Sequence, residues 1–167
     1  MIFRCLQYPC RESLTFAYKT YVLPLFEYGS SVYNSINRTD SNRLEACQRW
    51  CTRVIFRKCH LSAKGLGYEY RLSFLDLQKL SSRRRQNDLI LLHQIVHGKH
   101  ICPDVVSMKP CQKQFRHNFR IWVPSTHSTE VLKQFPYRCL RDWNCLSDDI
   151  ISLKIDKFSE FIRSNFF

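Results

Sequence analysis

The stretch DSNRLEACQRWCTRVIFR, residues 40–57, gives the clearest secondary-structure signal in the sequence. Apolar side chains recur three and four positions apart along it, at Leu44, Cys47, Cys51, Val54 and Ile55. A second series, spaced by four, lies nearly opposite the first: Arg49, Arg53 and Arg57. These two series predict an amphipathic helix that buries its apolar side and exposes a stripe of arginines. Thr39 or Asp40 is expected to cap its N-terminus, because their side-chain oxygens can accept hydrogen bonds from first-turn N–H groups.

The region before this stretch predicts a helix that a proline interrupts. Ser13–Leu23 opens with a serine that can act as a cap, and its apolar residues follow a helical spacing. Pro24 lacks the N–H that a helix interior needs, so we expect a kink or a break there, with the helix resuming toward Tyr33. The aromatic side chains of this region are expected to pack in the core.

The region after the stretch predicts a short helix and then a long one. Tyr68–Leu75 forms the short helix, and Asp76 is expected to cap the long one. The long helix runs to about His97, and Gly98 is expected to close it. Three successive arginines project about 100° apart around its axis: Arg83, Arg84 and Arg85. We expect at least one of them to face solvent or a ligand and another to pair with an acid.

The last third of the chain divides at residue 128. From Ile101 to Ser128, prolines and scattered cations replace the helical period, which predicts a loop with a short extended piece at Arg120–Val123. Basic residues of this loop alternate with aromatic ones: Lys109, Lys113, Arg116 and Arg120. That pattern suits single-stranded nucleic acid, and it equally suits a loop whose aromatic rings anchor it in a core. Beyond the loop, Glu130–Asn144 and Lys154–Asn165 predict helices, the first in spite of Pro136.

These elements predict a mainly α fold, with a helical bundle followed by a looser basic C-terminal extension. We expect four segments: an N-terminal remnant at 1–12, the bundle at 13–98, a basic loop region at 99–128 and a C-terminal helical segment at 129–167. The composition supports a packed core, since hydrophobic residues make up 44% of the chain and glycine occurs only 4 times.

The cysteine count and the hydropathy pattern bear on the compartment. Nine cysteines is an odd number, which argues against a fully paired secreted framework. The first ten residues contain no apolar run of the kind found in signal peptides. No window approaches the roughly 18 apolar residues that span a bilayer. We therefore expect reduced thiols, no membrane partner and a location in the cytoplasm or the nucleus.

The charge balance predicts a polyanionic partner. Lysine and arginine total 26 against 14 acidic residues, which gives a formal net charge of +12. Because the cations cluster, we expect contacts to nucleic-acid phosphates without base specificity. The first candidates are Arg49, Arg53, Arg57, Lys58, Arg83, Arg84 and Arg85; the second are Lys109, Lys113, Arg116 and Arg120. Two alternatives stay open: a solvated basic surface, and a stand-alone helical module that binds acidic proteins.

No motif in the sequence predicts catalysis or a cofactor. The adjacent acids Asp148 and Asp149 lack the flanking strands of a magnesium-binding hairpin, and we expect them in a turn or at a helix N-terminus. Cysteine and histidine form three groups: Cys47, Cys51, Cys59 and His60; His93 and His97; His100, Cys102, Cys111 and His117. None of these groups has the compact spacing of a structural zinc site, so we expect neither zinc nor enzymatic activity.

Five segments, in this order, resemble the C-terminal region of the reverse transcriptases of jockey-like non-LTR retrotransposons. FAYKTYVLPLFEYGSSVYN (16–34) resembles the tyrosine–lysine, proline and glutamate–tyrosine stretch that follows their polymerase core. RLEACQRWCTRVIF (43–56) and residues 68–98 are similar to the two helices that come next. FPYRCLRDWNCLSDDI (135–150) resembles their tryptophan–asparagine block, and IDKFSEFIRSNF (155–166) is similar to their phenylalanine-spaced last helix.

The resemblance implies a thumb-like helical region that grips a primer–template or a template RNA. It implies a non-catalytic fragment of an RNA-directed DNA polymerase whose fingers and palm lie upstream. The catalytic Mg²⁺ would belong to that missing palm, and the missing palm and fingers would be partners of this chain. A translated relic without function is the other product that such an element can leave.

Overall fold

The computed structural model describes residues 10–61, 65–101, 119–122 and 128–165. Over these residues the protein is mainly α, which confirms the predicted fold class. The helices are α1 (Arg11–Ala17), a π-helix (Tyr18–Val22), α2 (Leu23–Glu27), α3 (Ser30–Tyr33), α4 (Arg38–Lys58), α5 (Tyr68–Phe74), α6 (Leu80–Val96), α7 (Thr129–Lys133), α8 (Tyr137–Asn144), α9 (Asp148–Ile151) and α10 (Ile155–Asn165). Within the described ranges, no helix combines the length and the apolar character that crossing a membrane requires.

Contacts between residues divide the chain into two compact units. The first unit takes the chain up to Gly29 together with Ile36–Arg83, and the second takes Ser30–Ser35 together with Arg84–Phe167. The division therefore falls inside α6, between two adjacent arginines. The four predicted segments stay a prediction.

The first helix of the chain changes its winding just before Pro24. In the π-helix the N–H of Leu23 donates to the carbonyl of Tyr18, five residues back. Pro24 then falls in the first turn of α2, where a missing N–H leaves no hydrogen bond unmade. The helix is therefore not broken at this proline as predicted: its winding changes to a π-turn before the ring, and it ends only at Gly29, whose φ is +63°.

The winding also decides which aromatic side chains are buried. Tyr18 is fully buried, as predicted, but Phe16, Tyr21 and Tyr28 are exposed, so the prediction that they pack in the core is wrong. A helix buries one side only, and these residues lie on the other. The exposed side chains of this region in the first unit form a row that we call the apolar stripe: Phe16, Tyr21, Leu25 and Tyr28.

Helix α4 supplies one side of the first core. Asn37 caps it, because its side-chain oxygen accepts a hydrogen bond from the N–H of Asp40 at 2.8 Å. The predicted caps at Thr39 and Asp40 are wrong because both residues already lie within the helix. The predicted apolar side is confirmed at its C-terminal end but not at Cys47, which is exposed. The core of this unit consists of Leu14, Tyr18, Leu23, Cys51, Val54, Ile55, Phe56, Leu75 and Leu80.

Helices α4, α5 and α6, like α2, are each followed by a residue with positive φ. At the end of α4 this residue is His60 (φ 56°), and the next N–H, from Leu61, donates to Phe56 at 2.9 Å. Asp76 (φ 50°) follows α5, and the next N–H, from Leu77, donates to Leu72 at 2.9 Å. The prediction that Asp76 caps α6 is therefore wrong. Gly98 (φ 72°) closes α6 as predicted, because glycine adopts this conformation without strain.

The second unit packs α6, α8 and α10 around Trp143. This indole is fully buried, and its ring lies 6.2 Å from the ring of Phe158. The predicted helix over 130–144 is wrong, since the chain forms α7 and α8 with a cis Phe135–Pro136 bond between them. The predicted last helix is confirmed. The buried core residues are Leu89, Leu92, Ile95, Ile121, Cys139, Leu140, Trp143, Leu146, Ile151, Phe158 and Ile162.

A buried ion pair lies beside this core. Asp88 accepts from Arg138 at both of its oxygens, with Nε–Oδ2 at 2.7 Å and Nη2–Oδ1 at 2.8 Å. The side-chain amide of Asn34 donates to the same carboxylate at 2.7 Å. Arg138 also donates to the carbonyls of Lys133 and Ser31. Every polar atom of the pair thus has a partner, which a buried charge requires.

His93 of α6 and His97, the first residue after that helix, share one acceptor. The Nε2 atoms of His93 and His97 lie 3.0 and 2.9 Å from the carbonyl oxygen of Ile151. His93 is buried and stacks on Phe158, with ring centroids 4.0 Å apart. Burial of this ring lowers the pKa of His93 below its ordinary value of 6.5, and the nearby His97 lowers it further.

We expect His60→Gly to stabilise the protein by about 1 kcal/mol, because glycine removes the Cβ that makes positive φ costly. Urea unfolding followed by circular dichroism measures the difference. His60→Ala is the matched control, since it removes the imidazole and keeps the Cβ, and it should give no gain. An equal gain from both substitutions would mean that the ring, not the backbone conformation, is unfavourable there.

We expect acid to destabilise the second unit through His93. The folded protein keeps this ring neutral at a pH where the unfolded chain already takes up a proton. The stability that the neutral ring of His93 contributes is therefore fully present above pH 6.5. That contribution is lost as the pH falls through the lowered pKa of His93. Urea unfolding at pH 8 and pH 5 should show a smaller pH dependence for His93→Gln than for the wild type. An identical dependence in both proteins would contradict this assignment.

Candidate nucleic-acid interface

The outward side of α4 is fixed by polar contacts on its inward side. Gln48 is fully buried; its Oε1 accepts from the hydroxyl of Tyr18 at 3.1 Å, and its Nε2 donates to the carbonyl of Gln78 at 2.8 Å. Burial raises the pKa of the Tyr18 phenol, which therefore remains a donor. Because an amide has fixed donor and acceptor positions, these bonds specify the rotation of α4 about its axis.

A second group of polar contacts holds the middle of α4. Arg71 is buried and donates to the carbonyl of Leu66 at 2.7 Å and to the hydroxyl of Thr52 at 3.4 Å. Glu45 accepts from the hydroxyl of Tyr68 at 2.5 Å. Burial and this carboxylate raise the pKa of Tyr68, so its hydroxyl stays protonated. These contacts keep both the acid and the buried cation off the outward side.

The outward side carries three of the predicted phosphate-binding residues. Arg53 and Arg57 are exposed, and Arg49 is half-buried with its guanidinium 5.6 Å from the ring centre of Tyr68. Lys58, at the C-terminal end of the helix, is half-buried. Within the described part of the chain, no carboxylate forms an ion pair with Arg53, Arg57 or Lys58. We call Arg49, Arg53 and Arg57 the α4 basic face.

Carboxylates elsewhere in the first unit are engaged with other cations. Their ion pairs are Glu12 with Arg11, Asp76 with Lys19, Asp40 with Arg43, Glu69 with Lys79, and Glu27 with Arg83. The positive charge of the α4 basic face is therefore not neutralised by these acids. Successive arginines on this face lie roughly 6 Å apart along the helix axis, given a rise of about 1.5 Å per residue.

The three successive arginines of α6 point in different directions, as predicted. Arg83 forms an ion pair with Glu27. Arg84 is buried and donates to the side-chain oxygen of Asn34 at 3.0 Å. Arg85 is exposed and forms an ion pair with Asp142 at 2.7 Å. All three have intramolecular partners in the structure, so they contribute less available charge than the α4 basic face.

The basic loop residues lie mostly outside the described residues. Lys109, Lys113 and Arg116 belong to this group, and Arg120 is half-buried. Next to it, Ile121 is held by Asn144, whose amide accepts from its N–H at 3.1 Å and donates to its carbonyl at 2.9 Å. The structure describes the predicted extended piece at Arg120–Val123 only as far as residue 122. There the side-chain amide of Asn144 holds the backbone of Ile121.

Trp50 was not among the predicted site residues, but it lies next to them. Its side chain is 59% exposed, although it lies on the helix that forms the first core. It precedes Arg53 by three positions and Arg57 by seven, which places it beside the α4 basic face. The helical period that predicts the arginine stripe also predicts this position, so the signal was present in the sequence.

The acidic pair and the thiol and imidazole groups do not form a metal centre in the described ranges. Asp148 and Asp149 lie in the first turn of α9, as predicted, behind Ser147 at the N-cap. No group of three or more histidine, cysteine or acidic side chains converges among the described residues. Burial raises the pKa of Cys51 to about 11, so its thiol stays protonated. Cys102, Cys111 and His117 lie outside the described residues.

We expect Gln48→Leu to lower the free energy of unfolding by about 1–3 kcal/mol, because Tyr18 and Gln78 each lose a buried hydrogen bond. Urea unfolding measures this loss. The matched control is the double variant with Tyr18→Phe, which also removes the orphaned hydroxyl. It should be less destabilised than the sum of the two single variants. Additive losses would show that the amide and the phenol are not coupled.

Comparison with known proteins assigns no activity to the chain. No family model matches the sequence, and no solved structure matches it. A curated protein to which it is similar is the uncharacterised protein B0403.1 of Caenorhabditis elegans, at 29% identity over 109 residues. The aligned region covers 65% of this chain and 54% of that protein, so the chain matches about half of its relative's length.

Proposed function

We propose that the chain is a non-catalytic nucleic-acid-binding module that contacts the backbone of a primer–template or a template RNA. The observation that carries this proposal is the α4 basic face, where Arg53 and Arg57 are exposed and form no ion pair with a described carboxylate. The net charge of +12 supports a polyanionic partner. Long flexible cations on a rigid helix contact phosphates without reading bases, so the binding is not sequence-specific.

The resemblance to retrotransposon reverse transcriptases supports the same role. A thumb-like region contacts the primer–template while the chemistry takes place on the palm, so this chain carries no catalytic residues of its own. Under this proposal the missing palm and fingers of the same polyprotein are a second partner. The apolar stripe supports that partner, because four large apolar side chains on one helical run are exposed: Phe16, Tyr21, Leu25 and Tyr28.

Charge reversal on the α4 basic face tests the proposal. We expect Arg53→Glu/Arg57→Glu to weaken binding to a labelled single-stranded RNA and to an RNA–DNA hybrid, whatever their sequences. Each lost phosphate contact should also reduce the slope of log K against log salt by about 1. Fluorescence anisotropy across a salt series measures both quantities.

The matched control reverses two exposed lysines of the second unit, Lys154→Glu/Lys157→Glu, which changes the net charge by the same amount. This variant should keep most of the salt slope. Equal losses in both variants would show that overall charge, not the α4 basic face, attracts the strand. Wild-type binding to an acidic polypeptide, with none to RNA or hybrid, would instead support a protein-interaction module.

A further inference from the structure

Beside the α4 basic face lies an exposed indole, that of Trp50, which the phosphate contacts of the proposed function do not use. We infer that Trp50 is a stacking platform for an unpaired nucleobase, and that α4 therefore favours a single-stranded polynucleotide over a blunt duplex. This inference rests on the proposed function and adds the class of strand that the surface recognises. It also goes beyond phosphate contact, because stacking requires an accessible base.

The first observation is the exposure of the ring. Trp50 is 59% exposed, whereas Trp143 is fully buried in the second core. Burying the indole would stabilise the fold, because large apolar side chains gain free energy when they leave water. The rotation of α4 that Gln48 fixes leaves this gain unrealised and turns Trp50 toward solvent. The ring is thus available to a ligand.

The second observation concerns the neighbours of the ring. A helical side chain leans toward the N-terminus, over the residues three and four positions before it. For Trp50 these are Cys47 and Ala46, which are both exposed and both small. No long side chain occupies either position, so the ring has space above the helix for a flat group to stack on it.

The third observation is the charge around the ring. On a helix with about 100° per residue, Arg53 lies roughly 60° from Trp50 and Arg57 roughly 20° from it. Arg43, seven residues before the ring, is also exposed, although it forms an ion pair with Asp40 at 3.1 Å. Cations therefore lie on both sides of the indole along the axis, where they can contact the phosphates that flank a stacked base.

An aromatic ring between cations fits a single strand better than a duplex. Bases of a blunt duplex stack on one another and offer no free face, whereas each base of a single strand has one. Removing one stacking aromatic side chain weakens binding to single strands by roughly 5- to 140-fold. Acidic proteins would also be attracted by the arginines, but they gain little from an open ring face between them.

The experiment compares three ligands of equal phosphate number: a single-stranded RNA, an abasic strand and a blunt RNA–DNA hybrid. Anisotropy titrations use wild type, Trp50→Ala and Trp50→Phe, with Tyr70→Ala as the control for loss of an exposed aromatic side chain in the same unit. Circular dichroism establishes that each variant keeps its helical content.

We expect Trp50→Ala to weaken binding to the single-stranded RNA about tenfold and to change binding to the other two ligands less than twofold. Trp50→Phe should recover most of the affinity, since phenylalanine also stacks, and Tyr70→Ala should bind as the wild type does. Equal weakening for all three ligands, or no weakening for any, would overturn the inference.

The same data separate this inference from the proposed function. If Arg53→Glu/Arg57→Glu lowers the salt slope while Trp50→Ala changes nothing, the phosphate contacts stand and the stacking role fails. If the wild type binds none of the three ligands, both fail together.

Discussion

The buried amide of Gln48 determines which side of α4 faces water. Its two hydrogen bonds, to Tyr18 and to Gln78, are satisfied in one rotation of the helix and lost in any other. An unsatisfied buried amide costs about 1–3 kcal/mol, a sizeable fraction of the stability of a small domain. The exposure of Arg53, Arg57 and Trp50 is therefore a consequence of polar packing on the opposite side of the helix.

In the second unit, the ion pair between Asp88 and Arg138 has the role that the Gln48 amide has in the first. Asp88 is buried and accepts hydrogen bonds from Arg138 and Asn34, which are half-buried, and removing one partner of a buried ion pair typically costs about 3–5 kcal/mol. In both units a polar group specifies the packing of helices whose apolar residues alone would allow several rotations. The surface proposed to bind nucleic acid thus owes its position to groups that never touch a ligand.

Local periodicity was sufficient to predict the fold class, α4, the last helix and the closure of α6 at Gly98. It failed at Asp76, which ends α5 although it was expected to cap α6. It also failed at Asn37, because α4 begins several residues before the first apolar residue of its helical pattern. It also could not foresee that Arg84 is buried against Asn34, since that contact joins residues 50 positions apart. Of the site, the spacing of the arginines was predictable from the sequence. Which arginines remain available depended on tertiary contacts with Asn34, Glu27 and Asp142.

The π-helix at Tyr18–Val22 makes the tolerance of Pro24 depend on the number of residues that precede it in the helix. A π-turn is equivalent to one residue inserted into an α-helix, and Pro24 is tolerated because it follows that insertion. Deleting one residue from this segment would restore α-winding and bring the proline ring against a carbonyl of the preceding turn. A chain that lost one residue of this segment would therefore keep a regular α-helix without strain only if Pro24 were replaced as well.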